Sequence, residues 1–377
     1  MDFTLSEEQE MLRTMARDFL TDKCPKTLVK EMEEDEKGYS PELWKEMVDL
    51  GWMGLVIPEE YGGSGMSFLD LSILLEEMGR ACLPGPFFST VVLGGLPILE
   101  AGNDDQKQTY LTRIASGEAI FSLALTEADA QYGPASIAVK AAADNDGYTI
   151  NGTKLFVPDA HIADYLLCVA RTDEKAEAEK GLTVFIVDAK SPGISCTVLK
   201  TIAGDKLCEV VFEGVKVPKE NILGELNRGW EVVQRIIQQA AVAKCSAMVG
   251  ALQRMLEMTV DYAKERVQYD HPIGSLQVIQ HYCANMATDV DGSRFSTYQA
   301  AWRLSEGLPA RKEAAIAKAW LSEAGGRVIA LAHQIHGAIG CTIDHDLQYY
   351  TRRAKAAQLS FGDADFFREA VAQEMGL

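Results

Sequence analysis

Positive charge is scarce in this chain. Its 36 Lys and Arg are outnumbered by 55 Asp and Glu, leaving a formal net charge of -19 over 377 residues. Such a balance repels phosphate backbones and anionic lipid surfaces, so nucleic acid and membrane are excluded as expected partners. A small anionic ligand stays possible, because a local positive site can sit in an acidic protein. Long apolar runs are also absent: none reaches the ~18 residues of a membrane-spanning helix. None of the cysteines (Cys24, Cys82, Cys168, Cys196, Cys208, Cys245, Cys283 and Cys341) pairs as C-x-x-C, and no Cys/His cluster has metal-ligand spacing. No metal is therefore expected, and scattered buried thiols fit a reducing, cytoplasmic setting. The opening stretch MDFTLSEEQE has no apolar signal core. Repeats and low-complexity tracts are missing too.

What is present is an ordinary globular composition, 47% hydrophobic and 24% charged, with length for two or three domains. The first third has a helical period. Ser6 and Gln9 have capping-box spacing, and SPELWKEMVDLGW (40–52) opens with a Ser-Pro start signal. LVIPEEYGGSG (55–65) reads as a turn-rich loop, and helix resumes over 68–82 and 93–102. From about residue 120 the period becomes two. GYTINGTKLFV (147–157) reads as a hairpin turning at Asn151-Gly152, and CEVVFEGVKVP (208–218) as a second turning at Glu213-Gly214. LLCVART, LTVFIVD and CTVLK read as further strands of an antiparallel β-domain. From Trp230 the helical period returns, punctuated at Pro272, Gly307 with Pro309, and Gly337 with Gly340. That pattern gives a four-helix bundle. The expected fold is α+β: helices over 1–119, a β-domain over 120–226 and the bundle over 227–377.

Five stretches in order carry a resemblance: PEEYGGSG (58–65), ALTEADA (124–130), NGTKLFV (151–157), ERVQYDHPIGSLQVIQH (265–281) and QIHGAIG (334–340). Together they resemble the acyl-CoA dehydrogenase family across nearly the whole chain. RVQYDHPIGSLQ is the most specific of them. The resemblance implies that family's α–β–α layout and an FAD cofactor. It also implies α,β-dehydrogenation of an acyl-CoA thioester, with electrons passed to electron-transferring flavoprotein. A homotetramer, or a heterotetramer with a related subunit, is implied as well.

In that family each FAD site is built from two subunits. The residues lent to a neighbour are largely matched here: Arg266 for the pyrophosphate, Tyr269 near the adenine end, Gln277 and Gln334 on the same cofactor, and Gly337 for close backbone approach. Ala338 departs from the usual second glycine. The residues that grip a chain's own flavin are degraded. Thr126 remains, but Gln131 and Tyr132 replace a Gly-Ser loop, and Phe156-Val157-Pro158 replaces Trp-Ile-Thr or Trp-Ile-Ser. Pro158 brings neither hydroxyl nor N–H donor.

The family's base belongs in QLSFGD (358–363). Aligned there, Ser360, Phe361, Gly362 and Asp363 stand for Tyr, Glu, Gly and Thr, so a phenylalanine holds the position of the acid. A second position used by some members falls on Ala240, in a segment (232–256) without Asp or Glu, and the arginine after it is Ala241. Asp363 is the candidate substitute base, with Asp365 behind it. On a continuous helix Asp363 would lie about 200° around from Phe361, and both acids also suit a helix N-terminus. His336 and His345 read as structural or surface histidines, and Arg352-Arg353 as a solvated or interface pair. Pro86–Ser89 is a candidate pocket floor or ordinary core. Two functions compete: an active dehydrogenase with an unorthodox base, and a non-catalytic subunit that completes a partner's FAD site.

Overall fold

The computed structural model describes residues 4–377. Helix α1 (Glu7–Lys23) starts as its capping box requires: Ser6 Oγ accepts from Gln9 N–H at 3.2 Å, and Gln9 Oε1 accepts from Ser6 N–H at 3.1 Å. Helices α2 (Lys26–Glu34) and α3 (Pro41–Asp49) follow, α3 with Ser40 as its cap and proline in its first turn. Helix α4 (Phe68–Ala81) has a capping box from Ser67 and Asp70. The helix expected over 93–102 begins earlier and differently: Phe88–Gly95 is π-helical and feeds α5 (Leu96–Ala101). Two short helices, α6 (Asp104–Gln106) and α7 (Thr112–Ala115), lead to the strands.

The sheet holds β1 (Phe121–Ala124), β2 (Lys140–Ala143), β3 (Gly147–Pro158), β4 (Tyr165–Arg171), β5 (Leu182–Asp188), β6 (Ile194–Leu199), β7 (Leu207–Pro218) and β8 (Ile222–Leu223). Its order is β6-β7-β3-β2-β4-β5-β8, with β1 beside β4. Two expectations fail here. The sheet is mixed, because β1 runs parallel to β4. Neither glycine turn exists either: β3 and β7 are each one long strand, paired antiparallel with each other. Between the pairs Ile150↔Val215 and Gly152↔Phe212, β7 carries an extra residue. Gly152 (φ +136°) and Gly214 (φ +65°) supply the backbone freedom for this bulge. Asn151 Oδ1 accepts from Gly214 N–H at 2.7 Å and fixes it. The turn-forming residues thus kink two paired strands instead of reversing either.

Beyond the sheet come α8 (Gly229–Glu265), α9 (Gln277–Ser305), α10 (Arg311–His336), α11 (Leu347–Leu359) and α12 (Ala364–Glu374). The breaks at Pro272, Gly307–Pro309 and Gly337–Gly340 fall where the sequence places them. A further break at 360–363 does not, so five helices replace the expected four. The connection between α8 and α9 holds a two-stranded ribbon, β9 (Val267–Gln268) with β10 (His271–Pro272).

Contacts gather the chain into two units that cut across the three consecutive segments. One comprises residues 1–31, 67–83 and 241–377; the other comprises 32–66 and 84–240. In the first, glycines let α4 and α8 touch backbone to backbone. A Cβ on Gly79 would lie 1.8 Å from Ala247 O, and one on Gly250 would lie 1.8 Å from Glu76 O. Beside this crossing, buried Glu76 accepts from Arg294 Nε at 3.1 Å and Tyr298 O–H at 2.8 Å, and Arg80 pairs with Glu257. In the second unit the sheet buries Ile150, Leu167, Phe185 and Val210 completely.

Gly250→Ala must force the two helix backbones apart. We expect a loss of about 1–3 kcal/mol, read as a lower denaturant midpoint with an unchanged slope. An unchanged midpoint would contradict the close crossing.

Candidate functional site

The QLSFGD stretch is a turn between α11 and α12, and a lysine from α10 builds it. Phe361 has φ +59° and Gly362 φ +116°, two successive left-handed residues that end the helix. A non-glycine residue there costs about 1 kcal/mol and needs outside support. Lys318 provides it. Its Nζ is wholly buried and donates to Gln358 O at 2.9 Å and Gly362 O at 2.8 Å, on either side of Phe361. The Phe367 ring faces the same ammonium, 5.8 Å away. Burial pulls Lys318 down to about 8, and the nearby Asp363 charge only partly offsets it. Gly362 cannot be replaced cheaply, since a Cβ would stand 2.4 Å from the Phe366 ring.

Asp363 is exposed and caps α12: its Oδ1 accepts from Phe366 N–H at 2.9 Å. Asp365 is exposed too and pairs with Arg368 at 2.8 Å. The helical geometry that would turn Asp363 away from Phe361 does not apply, because the backbone here is not helical. Ala240 and Ala241 lie on α8 and are wholly buried.

In the second unit, Thr126 follows β1. Its carbonyl accepts from Leu155 N–H at 2.8 Å, and the next residue anchors the loop. Glu127 is buried and takes bonds from Ala138 N–H (2.9 Å), Val139 N–H (3.1 Å) and Lys154 Nζ (2.7 Å). Lys154 also reaches Leu125 O at 3.0 Å and is wholly buried, which lowers its pKa. The sequence motifs contain both residues but give no sign of this pair. Phe156 sits at a second bulge of β3, with φ +55° and its side chain 48% exposed. Beyond it Pro158 accepts from Ser122 O–H. Asp159, unnoticed in the sequence, accepts from Ser89 O–H at 2.6 Å, and burial pushes it up to about 6. Ser89 and Phe87, from the candidate pocket floor, are both buried.

The residues expected to serve a neighbour lie in the first unit. Arg266, Tyr269 and Gln277 share the connection between α8 and α9; Gln334 and Gly337 end α10. All five are exposed, Tyr269 by 83%. Tyr269 and Asp270 occupy consecutive left-handed positions at the tip of the β9–β10 ribbon. No hydrogen bond or ion pair joins any two of the five among the described residues. The Arg266 guanidinium has neither kind of partner among them. Gly337 takes φ +63°, ψ -142°, and open space surrounds it, so the glycine answers to the backbone angle. His336 ties the two places together. It is buried, stacks on Tyr262 of α8 at 4.5 Å, and its Nδ1 bonds Ala332 O at 2.9 Å. Burial lowers its pKa. Arg353 donates to Cys82 O at the end of α4, and Arg352 lies over the Tyr349 ring.

Three family models match the chain: the acyl-CoA dehydrogenase N-terminal domain over residues 6–118, the middle domain over 122–215 and the C-terminal domain over 227–376. The chain belongs to the acyl-CoA dehydrogenase family. Among its relatives, a probable acyl-CoA dehydrogenase of Bacillus subtilis is 33% identical over 100% of both chains. Butyryl-CoA dehydrogenase from Megasphaera elsdenii superimposes with a TM-score of 0.93 at 30% identity, covering 100% of each chain. The ChsE4–ChsE5 complex of Mycobacterium tuberculosis contains a chain that matches with a TM-score of 0.91 at 29% identity, over 100% of this chain and 99% of that one. Acyl-CoA dehydrogenases are FAD-dependent flavoproteins, and this member keeps their fold. Among its described residues no helix is long and apolar enough to cross a membrane, and no group of three His, Cys, Asp or Glu could hold a metal.

The lysine that shapes the turn has a testable pH signature. Lys318 is lowered to about 8 when folded and returns to 10.5 when unfolded. Between those values the unfolded chain holds a proton that the folded chain has released, so stability rises with pH. The rise across the window is about 3 kcal/mol. Lys318→Met should lack it. Unfolding free energies of both proteins from pH 7.5 upward should diverge; parallel curves would contradict the assignment.

Proposed function

We propose that this chain is a subunit of a heteromeric acyl-CoA dehydrogenase, in which it completes the FAD site of a related subunit. Arg266, Tyr269, Gln277, Gln334 and Gly337 meet that partner's flavin. The chain's own site does not remove the α-proton of the thioester. The observation that carries this reading is the turn at Phe361: the base position holds an aromatic ring, and Asp363 beside it serves as a helix cap.

The cofactor supports the same division. FAD, when bound, would supply the hydride acceptor for the β-carbon and the outlet of electrons to electron-transferring flavoprotein. The side chains lent outward suit it: Arg266 offers an uncommitted fork of donors for a pyrophosphate, and Gly337 leaves room. The chain's own grip fits less well. Thr126 is held in place by Glu127 and Lys154, but Pro158 offers no N–H, and Phe156 points to solvent.

A second reading keeps the chain catalytic, with Asp363 as the base. What favours it is the turn itself, which brings Asp363 after two left-handed residues rather than round a helix. The acyl-CoA substrate is the same in both readings.

Two outcomes separate them. The purified chain should exchange the α-protons of a saturated acyl-CoA slowly in deuterated buffer. Phe361→Glu, assayed with FAD added to saturation, should raise that rate by part of the about 10²–10⁴-fold that a placed base contributes. Rapid exchange by the wild type, abolished in Asp363→Asn, would establish the second reading instead. Independently, Arg266→Ala should weaken flavin retention in the assembled oligomer by about 1.5–3 kcal/mol, measured as FAD released on dilution. Unchanged retention would remove Arg266 from the site.

A further inference from the structure

Two cysteines lie side by side on the edge of the sheet. Strand β6 is the edge, and it pairs with β7 in the register Cys196↔Val210 and Val198↔Cys208. Cys196 and Cys208 are therefore diagonal neighbours on one face. Cys196 is exposed; Cys208 lies buried against β3, opposite Val157. A histidine completes the group: His161 Nδ1 is 3.7 Å from Cys208 Sγ, and its Nε2 is 3.1 Å from Lys37 O. No part of the proposed flavin chemistry uses these residues.

We propose that Cys208 and Cys196 form a reversible disulfide, with His161 as the base that activates Cys208 toward hydrogen peroxide. His161 takes the Cys208 proton. The thiolate attacks one peroxide oxygen, breaking the O–O bond and leaving a sulfenic acid; the departing hydroxide takes the proton from His161. Cys196 then attacks the oxidised sulfur, and its proton leaves with the hydroxyl as water. Two thiols and one peroxide become one disulfide and two waters. The product would pin the edge strand to β7 at the register where β7 faces the Phe156 bulge.

The surroundings set this pair apart from the other cysteines. Burial pushes Cys24 up to about 11, and both Cys168 and Cys245 up to about 12. Cys208 is buried as well, yet it goes the opposite way, down to about 5, because Cys196 and then His161 stabilise its thiolate. Cys196 shifts upward as the donor of that interaction. Burial opposes charge on His161, but the bond and charge of Cys208 together with Asp159 and Lys37 outweigh it and raise its pKa. Exposed Cys341 is an internal control: its sulfur is also near a histidine, 3.6 Å from His333 Nδ1, but it ends a helical turn and has no paired strand to hold a second cysteine in register. Access to Cys208 needs only local opening of β6, whose central residues are all exposed, so a small oxidant suffices.

The test is hydrogen peroxide at pH 6.5 on the full chain, followed by thiol blocking and peptide mass analysis. The Cys196–Cys208 cross-link should appear before any other oxidised cysteine and vanish with dithiothreitol. Cys196→Ser, at an exposed position, should stop the cross-link and leave a Cys208 sulfenic acid that dimedone traps. His161→Gln should slow cross-linking by about tenfold or more, the loss of thiolate expected once the Cys208 thiol returns to a unit or more above the assay pH. Oxidation of Cys341 while Cys196 and Cys208 stay thiols would overturn the proposal. So would an unchanged cross-linking rate in His161→Gln.

Discussion

The ammonium of Lys318 is the interaction on which the base-position turn depends. A buried lysine with no carboxylate bonded to it is costly, and here the bonds go to two carbonyls that the helix end would otherwise leave open. Those bonds span Phe361 and allow it a left-handed backbone that its side chain disfavours. The geometry of the turn therefore persists although the residue at its centre can accept no proton. The same frame would present a glutamate as readily as a phenylalanine.

The second unit makes a parallel use of a buried lysine. Lys154 closes on Glu127, and Glu127 in turn receives two backbone N–H groups from the far side of its loop. A buried pair of this kind is retained only with its remaining hydrogen bonds satisfied. Here they are, and Thr126 is positioned as a consequence. Further along the same strand as Lys154 come the exposed Phe156 and the N–H-free Pro158. A loop anchored in this way beside the Phe156 bulge is consistent with the division of roles proposed above.

Much of this was legible in the sequence, and the failures share a cause. Caps are local, so Ser6, Ser40 and Gly337 announced their helix ends correctly. The short apolar, β-branched run LTVFIVD marked its strand equally plainly. Asn151-Gly152 and Glu213-Gly214 misled because left-handed backbone freedom serves a bulge as well as a turn, and only the pairing of β3 with β7 decides between them. The break at 360–363 was missed for the complementary reason: Phe361 gives no local signal, and the lysine that holds it is 43 residues away by number (318 to 361). The candidate site residues rest on motifs, which do not reach Asp159, Tyr262 and Lys318, since each acts through a partner distant in sequence.

The central claim is that this chain lends more to a neighbour's flavin than it keeps for its own. Stoichiometry tests it most directly. The chain would be co-purified with a related subunit carrying glutamate at the position of Phe361, and FAD counted per polypeptide from the visible spectrum. The account predicts one FAD for every two chains in the mixed assembly, and little flavin on this chain purified alone. A full FAD on every chain, in the mixed assembly or alone, would contradict it.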